Sequence, residues 1–138
     1  MTTKTPHPSM LTRFPALTLT LAQARDVTGL DLVAATEVHG DQGKSYNEME
    51  QESESKSHDS AREEAIRFFA SLGYRLFPEG VGIRGIYTLA DFVATKPNRS
   101  IFVEVLSDTN VRLETLKRKA QLQQYGEVCF VLFSGTKR

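Results

Sequence analysis

Two carboxylates stand alone inside apolar runs of this chain. Glu104 lies within Ile101-Phe102-Val103-Glu104-Val105-Leu106, and Asp91 lies within Leu89-Ala90-Asp91-Phe92-Val93. An ionised carboxylate in a buried strand is costly unless it is paired, hydrogen-bonded or bound to a cation. Between the runs, Lys96-Pro97-Asn98-Arg99 is turn chemistry. A hairpin closing there sets Thr95 opposite Ser100. The same register sets Asp91 opposite Glu104, with Cβ atoms about 5 Å apart on one face. Like charges so placed destabilise a sheet, and a divalent cation between them reverses the sign. Ligands that are all oxygen suit Mg²⁺ or Mn²⁺. A one-residue slip would instead put the two acids on opposite faces, and an acid exposed at a strand end would need no metal.

A second group of polar residues follows on a predicted helix that starts at Asp108 or Thr109 and runs to Tyr125. At about 100° per residue, Leu113, Leu116 and Ala120 form its apolar seam. Lys117, Gln121 and Tyr125 follow at i, i+4 and i+8 and form one ridge beside that seam. A lysine, an amide and a phenol there can border a metal site at the sheet. Arg112, Lys117, Arg118 and Lys119 also make the first part of the helix basic. The plainer reading is a solvated basic face, with Tyr125 packed at the helix end.

These residues need elements to hold them. Ser60-Ala61-Arg62-Glu63 reads as a capping box for a helix whose apolar stripe is Ala65, Ile66, Phe69 and Leu72, stopped by Gly73. Strands are expected at Tyr74–Phe77, Ile86–Thr95, Ser100–Leu106 and Glu127–Phe133, with a glycine-rich loop from Pro78 to Gly85. The strand Ser100–Leu106 is apolar on both faces and is expected to be central. Upstream, Thr20 can cap a helix over Leu21–Thr28, Gly29 turns the chain, and Leu30, Val33, Ala34 and Val38 recur at helical spacing. The expected division is a disordered tail over 1–18, a short helical hairpin over 19–39, an acidic flexible linker over 40–58 and a folded domain over 59–138.

Composition bounds the function. Lysine plus arginine and aspartate plus glutamate both number 17, so net charge does not advertise a polyanion. The balance hides a split. Residues 1–60 hold five basic and nine acidic residues, and residues 61–138 hold twelve and eight. A net-positive domain behind an acidic arm can still bind a polyanion. The single cysteine, Cys129, excludes a disulfide framework and a multi-cysteine zinc site. It reads as a buried hydrophobe. No apolar run reaches membrane-spanning length and no secretory signal stands at the start, so a cytoplasmic protein without a membrane partner is expected. His7, His39 and His58 fall in segments read as flexible and are expected to be exposed spectators.

The order helix, three strands, helix, strand, with Asp91, Glu104 and the run Gln121-Leu122-Gln123-Gln124-Tyr125, resembles the PD-(D/E)XK nuclease superfamily, in its RecB-like branch with a QxxxY motif. The likeness covers roughly Ser60 to Phe133. It implies an α/β fold with a restriction-endonuclease-like α-β-β-β-α-β core, here carrying a small N-terminal helical arm. By the resemblance Asp91 and Glu104 hold Mg²⁺ or Mn²⁺, which activates water to hydrolyse phosphodiester bonds of DNA. Gln121 and Tyr125 shape the site, and Arg112, Arg118 and Lys119 contact phosphates. The family lysine belongs two residues after the glutamate, where this chain has Leu106. Lys117, on the Gln121–Tyr125 ridge, is the expected substitute. Lys119 lies about 160° away on the helical wheel, and Lys96 stands at the hairpin tip. Glu64 is the expected acid on the first helix. A homodimer that cuts two strands is implied by analogy. Two other readings remain: a catalytically silent nuclease fold that binds DNA or serves assembly, and a DNA-binding regulator using residues 19–38.

Overall fold

The computed structural model describes residues 17–38, 56–109 and 111–134. In chain order the elements are α1 (Leu21–Thr28), β1 (Leu32–Ala34), the single turn α2 (Ala35–Val38), α3 (Lys56–Ser71), β2 (Arg75–Phe77), β3 (Val81–Ile83), β4 (Phe92–Lys96) and β5 (Arg99–Ser107). Then come α4 (Leu113–Ala120), a 3₁₀ turn (Gln121–Gln124) and β6 (Glu127–Phe133). The chain is a mixed α/β protein. Its main sheet has the order β2-β4-β5-β6, with β2, β4 and β5 antiparallel and β6 parallel to β5. A separate antiparallel pair joins β1 to β3. Among the described residues no helix is long and apolar enough to cross a membrane.

The β4–β5 hairpin has the register expected from its turn, with Thr95 opposite Ser100 and Lys96 opposite Arg99. Asn98 takes the left-handed conformation at φ 64°, which its short polar side chain tolerates. The central strand β5 is buried on both faces. On one face Ile101, Val103 and Val105 pack with Phe92 and with Ala65, Ile66 and Phe69 of α3. On the other, Phe102 packs with Val93, Leu122, Val81 and Leu32. Burying a phenylalanine as fully as Phe92 or Phe102 contributes about 1.5–3 kcal/mol.

The N-terminal part differs from expectation. Thr20 does cap α1: its hydroxyl accepts the Gln23 N–H at 3.1 Å, and Gln23 Oε1 accepts the Thr20 N–H at 2.9 Å. Gly29 ends the helix. In place of the expected second helix come a strand and then the single turn α2. Leu32–Ala34 is a strand paired with β3, its three residues all buried. Leu32, Val33 and Ala34 are β-formers or small, and the spacing read as helical is satisfied by burial on both sides of a short strand. Arg25 ties the turn together, donating to Leu32 O at 2.9 Å and to Glu37 at 3.1 Å. Leu19, Ala24, Leu32 and Ala34 belong to the same core as Phe102, so residues 19–38 are part of the domain and not an arm. The end of the expected tail is also pinned: Thr18 bridges to Leu76, and Leu19 N–H donates to Leu76 O at 2.6 Å. The rest of the tail, residue 39 and the linker up to residue 55 lie outside the described residues.

Three further boundaries moved. α3 begins at Lys56, so Ser60 and Glu63 lie inside the helix rather than at its cap. The Pro78–Gly85 loop contains β3, and the expected long strand from Ile86 is regular only from Phe92. Gly82 explains the path between them. A Cβ there would collide with Thr88 O, so only glycine lets the segment before Asp91 cross β3 this closely.

Leu32→Ala tests whether the N-terminal segment belongs to the fold. It is expected to cost about 2–5 kcal/mol and to shift a single cooperative urea transition. An independent arm would leave the transition of the main sheet unmoved.

Candidate active site

The β4–β5 ladder holds its register up to Phe92 opposite Val103 and then departs from it. The Asp91 N–H donates to Val103 O at 2.8 Å, one residue short of Glu104. Asp91 Oδ2 accepts the Val105 N–H at 2.7 Å. The carboxylate therefore serves as a ladder acceptor where β4 has not yet begun. Asp91 reaches past Glu104 to the backbone on either side of it, instead of facing it as a regular cross-strand pair would.

Histidine 58 approaches the same carboxylate from α3. Its Nε2 lies 3.1 Å from Val105 O and 3.5 Å from Asp91 Oδ2. Both neighbours are oxygens and the carbonyl can only accept, so Nε2 carries the hydrogen. The ring also meets Phe133 edge-on at 6.1 Å. This corrects the expectation of an exposed spectator. The physical reason is that α3 starts a turn earlier than Ser60, and His58 then stands three, seven and eleven residues before Ala61, Ala65 and Phe69, on the buried stripe.

Glu104 is served from the other face. Lys119 Nζ lies 3.3 Å from Glu104 Oε2 and also donates to Leu89 O. His58, Asp91, Glu104 and Lys119 are 2%, 5%, 3% and 3% exposed, so all four polar groups are taken out of bulk water together. Lys119 holds Glu104 to α4, and through Leu89 it holds the segment that leads into Asp91.

Lys119, not Lys117, is the lysine at Glu104. Lys117 is exposed. The inward side of α4 runs through Leu116 and Lys119 and continues to Leu122 in the 3₁₀ turn, three residues apart each time. Leu113, expected in the seam, is 66% exposed. The α-helix stops at Ala120, short of the expected Tyr125. A 3₁₀ turn advances about 120° per residue, which carries Leu122 into the core and breaks the ridge expected through Gln121 and Tyr125. Gln121 is exposed, and Tyr125 is 38% exposed. The adjacent Gly126 lies against Ser100, where a Cβ would be 2.8 Å from the carbonyl oxygen. That puts Tyr125 at the start of β5, about 13 Å along the strand from Glu104. The structure therefore gathers Asp91, Glu104, Lys119 and His58, and leaves Lys117, Gln121 and Tyr125 outside.

Of the expected phosphate contacts, Arg112 is exposed, Arg118 is half-buried and Lys119 is buried in its ion pair. Glu64 is exposed. Lys96 stands over the Tyr74 ring at 4.6 Å, at the hairpin tip. Cys129 is half-buried, and burial pushes its thiol pKa up. Among the described residues no group of three or more histidine, cysteine, aspartate or glutamate side chains is placed to hold a metal ion. The donor chemistry of Asp91 and Glu104 nonetheless suits Mg²⁺, which takes one or two carboxylates and fills its shell with water and phosphate oxygens.

No family model matches the chain, and comparison with characterised proteins and with solved structures finds no match either.

Removing one member of the buried ion pair tests its coupling. Lys119→Met is expected to cost about 3–5 kcal/mol, because it leaves Glu104 buried without its cation. The double variant Lys119→Met/Glu104→Leu is expected to recover most of that loss in urea unfolding. A double-variant cost equal to the sum of the Lys119→Met and Glu104→Leu single costs would show that the pair is not coupled.

Proposed function

We propose that this domain is a metal-dependent nuclease of the PD-(D/E)XK type, acting on DNA through Asp91, Glu104 and Lys119. One observation carries the reading. A buried lysine from α4 reaches the glutamate of the central strand, supplying the cation that Leu106 does not. The sheet supports it as well, since an antiparallel β2-β4-β5 unit followed by a helix and a parallel β6 is the order a restriction-endonuclease-like core requires.

In this reading Asp91 and Glu104 would hold Mg²⁺ or Mn²⁺, and the ion supplies an activated water and a counter-charge for the phosphate. The Val105 N–H and His58 fix the Asp91 carboxylate. Lys119 presents an ammonium beside Glu104, where it can offset charge gathering on a phosphate oxygen. The exposed cations Arg112, at the start of α4, and Lys117, on it, would contact the DNA backbone. The single cysteine agrees with a cytoplasmic setting.

A second reading is a nuclease-like fold that binds DNA without cutting it. The observation in its favour is that Glu104 and Lys119 already neutralise one another out of solvent. Nothing in the fold favours the regulator reading, since only the single turn α2 of its expected second helix is helical and Leu32–Ala34 is the strand β1.

The test is cleavage of labelled single-stranded, duplex and branched DNA with Mg²⁺, Mn²⁺ or EDTA. Metal-dependent cutting is expected, lost in Asp91→Asn and Glu104→Gln. Lys119→Gln is expected to lower kcat by about 10²–10⁴, with Lys117→Ala raising KM and leaving kcat close to the parent. Absence of cleavage on every substrate, with gel shifts retained, would replace the catalytic reading with the binding one.

A further inference from the structure

Strand β6 closes one side of the main sheet, and among the described residues it pairs with β5 alone. Its sequence after Glu127 is Val128-Cys129-Phe130-Val131-Leu132-Phe133, six apolar residues with no proline and no charge. Soluble proteins ordinarily protect such an edge with lysine, proline, a bulge or a covering element. The other edge has that cover, since Thr18 and Leu19 add to β2. Burial also drops abruptly at β6. Residues 101–106 of β5 are all buried, whereas on β6 residues 128–131 are only half-buried, Glu127 is exposed and Leu132 is 57% exposed.

We infer that β6 is the interface with a second copy of this chain, paired antiparallel across a two-fold axis at Phe130. A sheet edge is complemented by a strand, and β6 itself is the strand whose composition fits. Centred on Phe130, the full length of β6 overlaps. Phe130 then faces Phe130 of the second copy, Val128 faces Leu132, and Cys129 faces Val131. Each pair is apolar and lies on a common sheet face. Charge permits this register. The only ionic group on the strand is Glu127, and the two copies of it fall at opposite ends, about 20 Å apart. Arg99 already neutralises each one, with hydrogen bonds of 2.6 and 3.0 Å that hold the Glu127 carboxyl below its usual range. No unpaired charge has to leave water. The two four-stranded sheets become one continuous sheet.

Light scattering on the full chain during size exclusion, across a wide concentration range, is expected to give a dimer. Leu132→Lys is expected to be monomeric with unchanged circular dichroism, because that side chain is exposed in the single copy. Val131→Cys is expected to form a covalent dimer on mild oxidation, by pairing with Cys129 of the second copy, with the parent chain giving none. A parent chain that is monomeric at every concentration would overturn the inference, and so would a dimer that Leu132→Lys does not weaken. These readouts need no cleavage, so they stand or fall apart from the nuclease reading.

Discussion

Burial of charge beside β5 is the constraint on which the rest of this structure turns. Asp91, Glu104, Lys119 and His58 all lie within the folded interior, where an isolated ion is far less stable than in water. Each is tolerated only because a neighbour on another element reaches it. Asp91 needs the Val105 N–H from β5 and His58 from α3. Glu104 needs Lys119 from α4. The two helices on opposite faces of the sheet are therefore tied to it by polar contacts as well as by packing. The positions of α3 and α4 along the sheet follow from the same contacts.

That constraint also explains the irregular segment before β4. Lys119 donates to Leu89 O, Gly82 lets Thr88 pass close over β3, and Asp91 then uses its carboxylate where a regular strand would use backbone. A fully paired strand from Ile86 would have set Asp91 beside Glu104 with two like charges in contact. With the observed departure each acid has its own partner, the Val105 N–H for Asp91 and Lys119 for Glu104. Arrangements of this kind hold polar groups rigidly.

Much of the fold was legible in the chain. The Pro97-Asn98 turn, the apolar runs on either side and the two-residue periodicity were enough for the β4–β5 register. Thr20 and Gly29 marked α1. Other features had local signals that pointed the wrong way. Leu30, Val33, Ala34 and Val38 have helical spacing, yet Leu32–Ala34 pairs with β3, a strand hidden among glycines. Ser60 and Glu63 have cap chemistry, yet the helix continues upstream of them to Lys56. A turn signal inside a helix cannot compete with an apolar stripe that extends past it through His58.

What the sequence by itself determined is the set of chemical problems: two acids in apolar strands, a basic helix after them, and an apolar last strand. Local propensities and periodicity depend on neighbours within a few residues, so they were readable without a structure. Only the tertiary structure decided which partners solve those problems. The choice of Lys119 over Lys117 depends on where α4 tightens into a 3₁₀ turn and draws Leu122 into the core. The role of His58 depends on α3 lying against Val105, forty-seven residues away in the chain. Such choices are settled by the cost of leaving a buried charge unmatched, and that cost exists only once distant segments have been packed together.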